Sequence, residues 1–319
     1  AELAPEAELE LKTQVLKDQL ERIGGLSNIP TPELFNLEPS QGWRTRVRLG
    51  VDASGRAGFR KLKSNDLVTD VACTQVTPEL IDGLVGPDAR KFTPGAEVIA
   101  AVDDRGVRTV VEFLKAPRGR RTETIRNIIE GDGNVAQTVG EYTWTFPVAG
   151  FWQAHVEAPK VYSEFIADVL ESTDLEDVDK RGAVAWDLYG GVGLFAPVIS
   201  KTQEARVHSV ELSAGSAESG EDALAGLPVT FHTGRVESVM AQLPAPHIVV
   251  LDPPRTGAGS AVVKSIGEAG PQLVIHIGCD PATFARDVAD WAAAGYTLDR
   301  LAVFNAFPGT HHLETIGAF

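Results

Sequence analysis

Cys279 stands in the segment HIGCDPATFARDV, directly after an apolar run and directly before a helical segment that begins with proline. It is one of only two cysteines in 319 residues. A free cysteine at such a turn is either a small buried hydrophobe or a nucleophile, and its residue type leaves both open. At a helix start, the backbone N–H groups that follow Asp280 and Pro281 are expected to favour the thiolate.

A second segment, VVLDPPRTGAG, brings Asp252 to the end of an apolar strand. Two prolines directly after the strand cannot continue a ladder or start a helix interior, so they hold the acid in a fixed turn. A similar Asp-Pro-Pro turn grips the target base in adenine and cytosine amino-methyltransferases, and a rigid surface turn is the less favoured alternative. Since adjacent parallel strands lie about 4.8 Å apart, Asp252 and Cys279 are predicted to open into one cleft.

A third segment, WDLYGGVGLF, has the pattern of a cofactor turn. The strand ends at Asp187 and turns through Gly190, Gly191 and Gly193 into a helix, and such glycines let the backbone approach a ligand. Turns of this kind serve NAD, FAD and S-adenosylmethionine alike, but the departure from GxGxxG suits an adenosyl group better than a pyrophosphate. Glu211 closes the next strand, where binding of ribose hydroxyls is favoured over a merely structural surface role.

The elements that must position these residues follow from the periodicity of the chain. An amphipathic helix, LELKTQVLKDQLERIGGL, is followed from about residue 41 to 147 by short alternating segments typical of an antiparallel sheet. From about residue 160, strands alternate with helices, which predicts a parallel, doubly wound sheet. The last two strands are joined by a tight Pro-Gly turn and must be antiparallel.

The predicted fold class is therefore α/β, in two domains. Residues 148–319 are predicted to form a domain with the topology of the Rossmann-like class I methyltransferases, a parallel sheet with a terminal antiparallel hairpin. Residues 1–147 are predicted to form an α+β, mainly antiparallel-sheet domain with an N-terminal helix, and the Lys and Arg residues concentrated in it make it the candidate RNA-recognition domain. A chain of 319 residues is long enough for two cores.

The charge of the chain is unevenly distributed. The net charge of −15 argues against a protein that simply coats nucleic acid, yet residues 41–63 hold seven Lys or Arg against one acid. The segment KAPRGRRTETIR adds Arg118, Arg120 and Arg121. These clusters are equally consistent with an RNA-binding surface and with the solvated face of a sheet.

No apolar run approaches the roughly 20 residues of a membrane span, and we expect a monomer in the cytoplasm with no membrane contact and no obligate protein partner.

With these residues in hand, the chain resembles the RNA 5-methyluridine methyltransferases along nearly its whole length. The resemblance rests on FWQAH, DLYGGVGLF, LDPPRTGAG, GCDPATFARDV and FPGTHHLETI, in the family's order and spacing. It implies methylation of uracil C5 in a structured RNA by S-adenosylmethionine, with 23S rRNA favoured over tRNA. By the resemblance, Cys279 is the nucleophile and Glu314 is the base. The cofactor would be bound by Gln153, Tyr189, Gly190, Gly191, Glu211 and Asp252, and the RNA by Phe151, Asp252, Arg255, Arg118, Arg120 and Arg121.

The chemistry explains these residue types. Carbon 5 of uracil is a poor nucleophile, and addition of a thiolate to carbon 6 moves electron density to carbon 5, which can then accept the methyl group. A carboxylate that removes the C5 proton expels the thiolate, and the target base must first be flipped into the pocket, where Phe151 is expected to stack on it.

Three further expectations concern metals and rival functions. Many family members carry a four-cysteine iron–sulfur cluster, and Cys73 resembles one of its ligands, but one cysteine cannot hold a cluster, so none is expected in this chain as given. His311 and His312 lack the spacing of metal ligands and are interpreted as positioning or structural residues. The rival functions are methylation at another atom, amino or cytosine, and an RNA-binding protein whose methyltransferase domain is vestigial.

Overall fold

The computed structural model describes residues 3–61, 64–115, 124–178 and 182–319. The chain divides into a parallel-sheet unit, Ala1–Leu37 with Glu157–Phe319, and an antiparallel-sheet unit, Glu38–Val156. This grouping differs from the predicted division at residue 147 at both ends. The N-terminal segment joins the C-terminal half because its helix and first strand pack there, and the antiparallel-sheet unit continues nine residues beyond the predicted boundary.

The bounds of the elements are as follows. The strands of the parallel-sheet unit are β1 (Glu33–Asn36), β10 (Val184–Leu188), β11 (Arg206–Glu211), β12 (Val229–Thr233), β13 (Ile248–Leu251), β14 (Leu273–Gly278), β15 (Arg300–Asn305) and β16 (Glu314–Ala318). Its helices are α1 (Pro5–Arg22), α3 (Ala158–Glu171), α4 (Ala196–Gln203), α5 (Ala214–Ala223), α6 (Val236–Val239), a 3-10 turn (Met240–Gln242), α7 (Ser260–Ala269) and α8 (Pro281–Ala293). The antiparallel-sheet unit contains β2 (Arg46–Val51), β3 (Ala57–Arg60), β4 (Leu67–Val68), α2 (Pro78–Ile81), β5 (Glu97–Val102), β6 (Arg108–Lys115), β7 (Thr124–Glu130), β8 (Asn134–Val139) and β9 (Tyr142–Pro147).

The large sheet has the strand order β1-β15-β16-β14-β13-β10-β11-β12. Strand β16 is antiparallel to both of its neighbours, β14 and β15, whereas the other neighbouring pairs are parallel. The predicted α/β fold, with a parallel sheet and an antiparallel hairpin, is therefore confirmed. The hairpin does not close the sheet, however, because β1 pairs with β15 outside it.

Helices cover both faces of this sheet. On one face, Leu16 and Leu20 of α1 join Trp291 of α8 in a buried apolar cluster with the residues of the central strands. On the other face, Tyr162 and Phe165 of α3 pack against Phe304 of β15, with ring centroids 5.0 and 5.8 Å apart. The central strands are thus buried on both sides, which explains their continuous apolar runs.

Helix α1 also holds the turn that joins β15 to β16. The buried ammonium of Lys12 donates to Asn305 Oδ1 at 2.7 Å and to the Phe307 carbonyl at 3.2 Å, and it lies 2.6 Å from Glu8 Oε1. Both Glu8 carboxylate oxygens accept from Gly309 N at 3.1 Å. The first helix of the chain therefore fixes the hairpin turn that leads into Glu314.

The antiparallel-sheet unit is built on the sheet β4-β3-β2-β5-β6-β7 with the separate hairpin β8-β9. Its main core contains Leu49 and Val98 from the strands, Leu80 from α2 and Leu84 from the turn after α2. The predicted mainly antiparallel sheet is present here. Within the described ranges, no helix of either unit is both long and apolar enough to cross a membrane.

Candidate active site

The predicted catalytic and cofactor-binding residues of the parallel-sheet unit lie at one edge of its sheet. The edge is formed by the carboxyl ends of β11, β10, β13 and β14 and by the amino end of the reversed strand β16. In that order the strands present Glu211, the glycine turn after Leu188, Asp252, Cys279 and Glu314. Ligands of open α/β sheets bind at this edge, so the residues occupy a position suited to a cofactor and a substrate side by side.

Cys279 and Glu314 are brought together by the register of two adjacent strands. Strand β14 pairs Gly278 with Thr315 of β16, and Cys279 and Glu314 are the residues that directly adjoin this last pair. The charge of Glu314 acts on the Cys279 thiol, so the two groups are near each other. The sulfur and the carboxyl group come from positions far apart in sequence and are neighbours in the fold.

The expectation that the helix start favours the Cys279 thiolate is wrong. Burial, then the nearby Glu314 and Asp252 carboxyl groups, raise the pKa of the Cys279 thiol to about 11, and Arg255 opposes the rise. The first amides of α8 are already used, because the N-cap carboxylate of Asp280 accepts from Ala282 N at 3.0 Å and from Thr283 N at 2.9 Å. The helix N-terminus thus stabilises an aspartate, not the sulfur.

Glu314 is held in an apolar setting. Its side chain is 5% exposed, and burial, followed by the charge of Asp252, holds its pKa well above the ordinary value. Arg255, on the exposed turn after Asp252, acts in the opposite direction. A carboxyl group with a raised pKa beside a cysteine is the type of pair expected at a proton-transfer site.

The glycine turn and Glu211 form one hydrogen-bonded structure. Gly191 N donates to Glu211 Oε2 at 3.0 Å, and Ser213 N donates to Glu211 Oε1 at 2.7 Å, so the carboxylate is fixed beside the turn. Tyr189 begins the turn with a left-handed φ of 59°. A Cβ on Gly190 would lie 2.4 Å from Asp187 Oδ2 and 2.3 Å from Ser209 Oγ, which explains the need for glycine there.

Asp187 supports this turn from inside the sheet. It is 1% exposed, its Oδ2 accepts from Ser209 Oγ at 2.8 Å, and burial raises its pKa from 3.8 to about 7. A carboxyl group whose pKa is raised by folding stabilises the folded state most at pH values below its pKa in the unfolded chain. This stabilisation is lost as the pH rises through its pKa in the folded state. The loss for Asp187 falls between about pH 4 and 7 and amounts to up to about 4 kcal/mol.

Replacing Asp187 by asparagine should remove this part of the pH dependence, because the amide stays neutral. Urea unfolding of both proteins between pH 4 and 8 should show the stability of Asp187→Asn rising relative to wild type across that window. Asp222→Asn, an exposed position on α5, is the matched control and should leave the pH slope unchanged. Parallel pH profiles for Asp187→Asn and wild type would contradict the assignment of a raised pKa.

A buried polar network that sequence reasoning missed holds the loop after Asp252. Asp287 of α8 accepts from Ala258 N at 2.7 Å and from Gly259 N at 3.1 Å, and it lies 3.5 Å from His276 Nε2. The indole of Trp291 donates to His276 Nδ1 at 2.9 Å, so the Nε2 proton faces Asp287. Burial lowers the pKa of His276 to about 3, which keeps the ring neutral. The one signal in the sequence was an aspartate on the apolar face of a helix.

Asp287→Ala should lower the free energy of unfolding by about 2–4 kcal/mol, because it leaves two loop amides without an acceptor and removes the carboxylate beside His276. Asp287→Asn, which retains one acceptor oxygen, should lose clearly less. Urea denaturation of the two variants at pH 7 measures the difference, and equal losses would show that side-chain volume, not the accepted hydrogen bonds, matters at this position.

The other predicted site residues belong to the antiparallel-sheet unit. Phe151 is 67% exposed and Gln153 is 8% exposed. Their proposed contacts with base and cofactor remain predictions. Arg118, Arg120 and Arg121 lie outside the described residues.

Three arginines of the basic segment 41–63 form hydrogen bonds or ion pairs within the antiparallel-sheet unit. Arg48 pairs with Glu97 at 2.6 Å, and Arg46 donates to the Val148 carbonyl at 2.6 Å. Arg56 pairs with two aspartates. For these three arginines, structural pairing accounts for at least part of the charge pattern.

Three residues bear on the question of metal binding: His311, His312 and Cys73. His311 and His312 lie next to each other before β16, with ring centroids 4.0 Å apart and ring planes tilted by 39°. In the described part of the chain, no group of three or more His, Cys, Asp or Glu is arranged to hold a metal ion. Cys73 packs against the core of the antiparallel-sheet unit.

Comparisons with known proteins show the family of the chain. The family model described as tRNA (Uracil-5-)-methyltransferase matches residues 187–319. An uncharacterized RNA methyltransferase of Corynebacterium efficiens is 78% identical over 319 residues, covering 100% of this chain and 76% of the relative. The 23S rRNA (uracil(1939)-C(5))-methyltransferase RlmD of Halomonas elongata is 28% identical, covering 98% of this chain and 72% of the relative.

A solved structure shares the fold over almost the entire chain. The tRNA (uracil-54, C5)-methyltransferase of Pyrococcus abyssi, solved in complex with S-adenosyl-L-homocysteine, superposes with a TM-score of 0.75 at 19% identity, covering 99% of this chain and 82% of the other. This likeness shows the fold. The Corynebacterium relative shows that the chain belongs to the RNA methyltransferases, and the match over residues 187–319 is to their tRNA (Uracil-5-)-methyltransferase family.

Proposed function

We propose that this protein methylates carbon 5 of a uracil in a structured RNA, with S-adenosylmethionine as methyl donor and Cys279 as the covalent nucleophile. The observation that carries the proposal is that the pairing of β14 with β16 ends at Gly278 and Thr315, the neighbours of Cys279 and Glu314, at the same sheet edge as Asp252 and the glycine turn, and that the charge of Glu314 acts on the Cys279 thiol. A nucleophile and a proton acceptor side by side are what addition to and elimination from one pyrimidine ring require.

The residues of the glycine turn fit an adenosyl group. Glu211 is held by backbone amides of the turn and of Ser213, yet each carboxylate oxygen keeps a second lone pair for a ribose hydroxyl. Gly190 and Gly191 allow close approach of the ligand, and Tyr189 and Gln153 are the further proposed contacts. Bound there, S-adenosylmethionine would supply an electrophilic methyl group and leave as the neutral thioether S-adenosylhomocysteine, with the S–CH3 bond electrons on its sulfur. Asp252 lies between this turn and Cys279 along the sheet edge.

The proposed reaction uses the two paired residues in turn. The Cys279 thiolate adds to carbon 6, and the resulting electron density at carbon 5 accepts the methyl group. Glu314 as a carboxylate then takes the C5 proton, the C–H electron pair forms the C5–C6 double bond, and the C6–S bond breaks to return the thiolate.

Because the pKa of the Cys279 thiol is about 11 in the free protein, ionisation of the sulfur must be assisted when RNA binds. Among the described residues, the guanidinium of Arg255 acts to lower that pKa, so Arg255 is the residue proposed to favour the thiolate.

The proposed RNA is 23S rRNA in preference to tRNA. Support comes from the Halomonas relative, which covers 98% of this chain and is named for a uracil of 23S rRNA. The target base must be flipped out of its stack, and the exposed ring of Phe151 is available to stack on it. The antiparallel-sheet unit is proposed to recognise the RNA by shape, since folded RNA is bound largely in that way.

Release of tritium from RNA that carries 5-tritiated uridine tests the reaction directly. Release that depends on S-adenosylmethionine and on wild-type protein supports uracil C5 methylation. Methyl incorporation without tritium release would point to another atom, amino or cytosine, and neither signal would favour a vestigial RNA-binding protein. Mass spectrometry of 23S rRNA and tRNA from a deletion strain then identifies the RNA, because the position that loses a methyl group is the target.

A further inference from the structure

Tyr162 of α3 is a buried residue of the parallel-sheet unit that neither the sequence patterns nor the proposed reaction uses. Its side chain is 0% exposed, and its ring packs edge-on against Phe304 with centroids 5.0 Å apart. Phe304 in turn is the residue of β15 that pairs with Glu314 of β16. The packing therefore brings the tyrosine ring next to the strand position of the proposed base.

The Tyr162 hydroxyl lies among the acidic groups of the site. Its pKa is raised well above 10 by burial first and then by the charges of Glu314, Asp252 and Cys279. The charged groups that act on Glu314 are Asp252 and Arg255, from the loop after β13, and Glu314 in turn raises the pKa of Cys279, at the end of β14, and of Tyr162, on α3. Among them, Tyr162 is a neutral hydrogen-bond donor that stays protonated throughout the working pH range.

Two polar atoms of this group have no hydrogen-bond partner among the described residues. They are the Tyr162 hydroxyl oxygen and Glu314 Oε1, and both are buried. Buried polar atoms are nearly always satisfied, by protein or by an ordered water. A single water can accept from the tyrosine O–H and donate to Oε1, which would satisfy both atoms at once.

We propose that Tyr162 is a positioning residue for Glu314, coupled to Oε1 through one bridging water, and that its hydroxyl helps this carboxyl group to hold the negative charge it needs as a base. The inference rests on the proposed function for its catalytic meaning, but the coupling itself is a property of the free protein. It answers a difficulty of the site, because a carboxyl group buried beside Asp252 favours its neutral form, and a neutral carboxyl cannot take the C5 proton.

The test is Tyr162→Phe, which keeps the ring against Phe304 and removes only the hydroxyl. Infrared difference spectroscopy follows the protonated carbonyl band of Glu314 in the intact protein, with Glu314→Gln to assign the band. Loss of the donor destabilises the carboxylate, so the Glu314 midpoint should move to higher pH by about one unit. In the tritium-release assay, the low-pH limb should move in the same direction, with release about tenfold slower below it.

Tyr296→Phe is the matched control, because the Tyr296 hydroxyl donates to the Pro271 carbonyl at 2.9 Å and does not act on the site. It should leave both midpoints in place. An unchanged Glu314 midpoint in Tyr162→Phe would overturn the coupling, whether or not the protein releases tritium. Absence of release from wild type would instead count against the proposed function, and the infrared titration would still decide the role of Tyr162.

Discussion

Replacing Cys279 by alanine is expected to lower methyl transfer to RNA by about 10⁴-fold or more, because the reaction loses its covalent step and not merely a contact. Carbon 5 of uracil has no other route to sufficient electron density at this site. Binding of S-adenosylmethionine should be retained, since Glu211 and the glycine turn lie on other strands. Transfer of a radiolabelled methyl group to RNA, together with calorimetric titration of the cofactor, measures both quantities.

Cys73→Ala supplies the matched control, as the other cysteine of the chain packs against the core of the antiparallel-sheet unit. It should keep methyl transfer within a few-fold of wild type once stability is taken into account. Should Cys279→Ala retain substantial uracil methylation, the covalent mechanism would have to be abandoned. Retained methylation of an amino group alone would instead identify a different target atom.

Glu314→Gln is expected to block removal of the C5 proton and to leave the earlier steps of the reaction possible. The amide cannot accept the C5 proton, so turnover should fall by on the order of 10²–10⁴-fold, while addition of Cys279 and methylation of carbon 5 can still occur. The protein should then remain joined to methylated RNA through the C6–S bond. A denaturing gel with labelled RNA and a labelled methyl group would show this adduct as a slowly migrating, doubly labelled band.

Two comparisons make the adduct result specific. Glu268→Gln changes an exposed glutamate whose partner is Lys264, 3.8 Å away on α7, and it should neither slow turnover nor trap RNA. The double variant Glu314→Gln with Cys279→Ala should form no adduct, because the sulfur is gone. A Glu314→Gln protein that turns over normally, with no trapped RNA, would assign proton removal to another group.

The sequence predicted the sheet and the edge residues because both follow from local patterns. Alternating apolar strands and helices predict a parallel sheet, and residues that directly follow its strands must meet at one edge, as Asp252 and Cys279 do. The approach of Cys279 to Glu314 depends on β16 running antiparallel to β14, a reversal that the Pro-Gly turn also indicated. The edge strand β1 escaped prediction because four residues, ELFN, carry little periodicity of their own.

Electrostatics was the weaker part of the prediction. A helix start next to Cys279 indicated a stabilised thiolate, but which side chain receives the helix amides depends on rotamers, and Asp280 takes them. In the same way, burial of Asp187, Asp287 and Tyr162 is a product of packing between elements distant in sequence. Each carries a polar group into the interior, and the sequence shows only an isolated polar residue within an apolar pattern.

The pairing of β1 with β15 has a consequence for how the protein is made. Glu33 and Arg300, an ion pair on these neighbouring strands, are separated by 267 residues of chain. During synthesis, α1 and β1 leave the ribosome long before the β15–β16 hairpin, and the antiparallel-sheet unit is made between them. The nascent chain therefore exposes the apolar face of α1 until β15 and β16 have been made, and completion of the sheet depends on these two late strands.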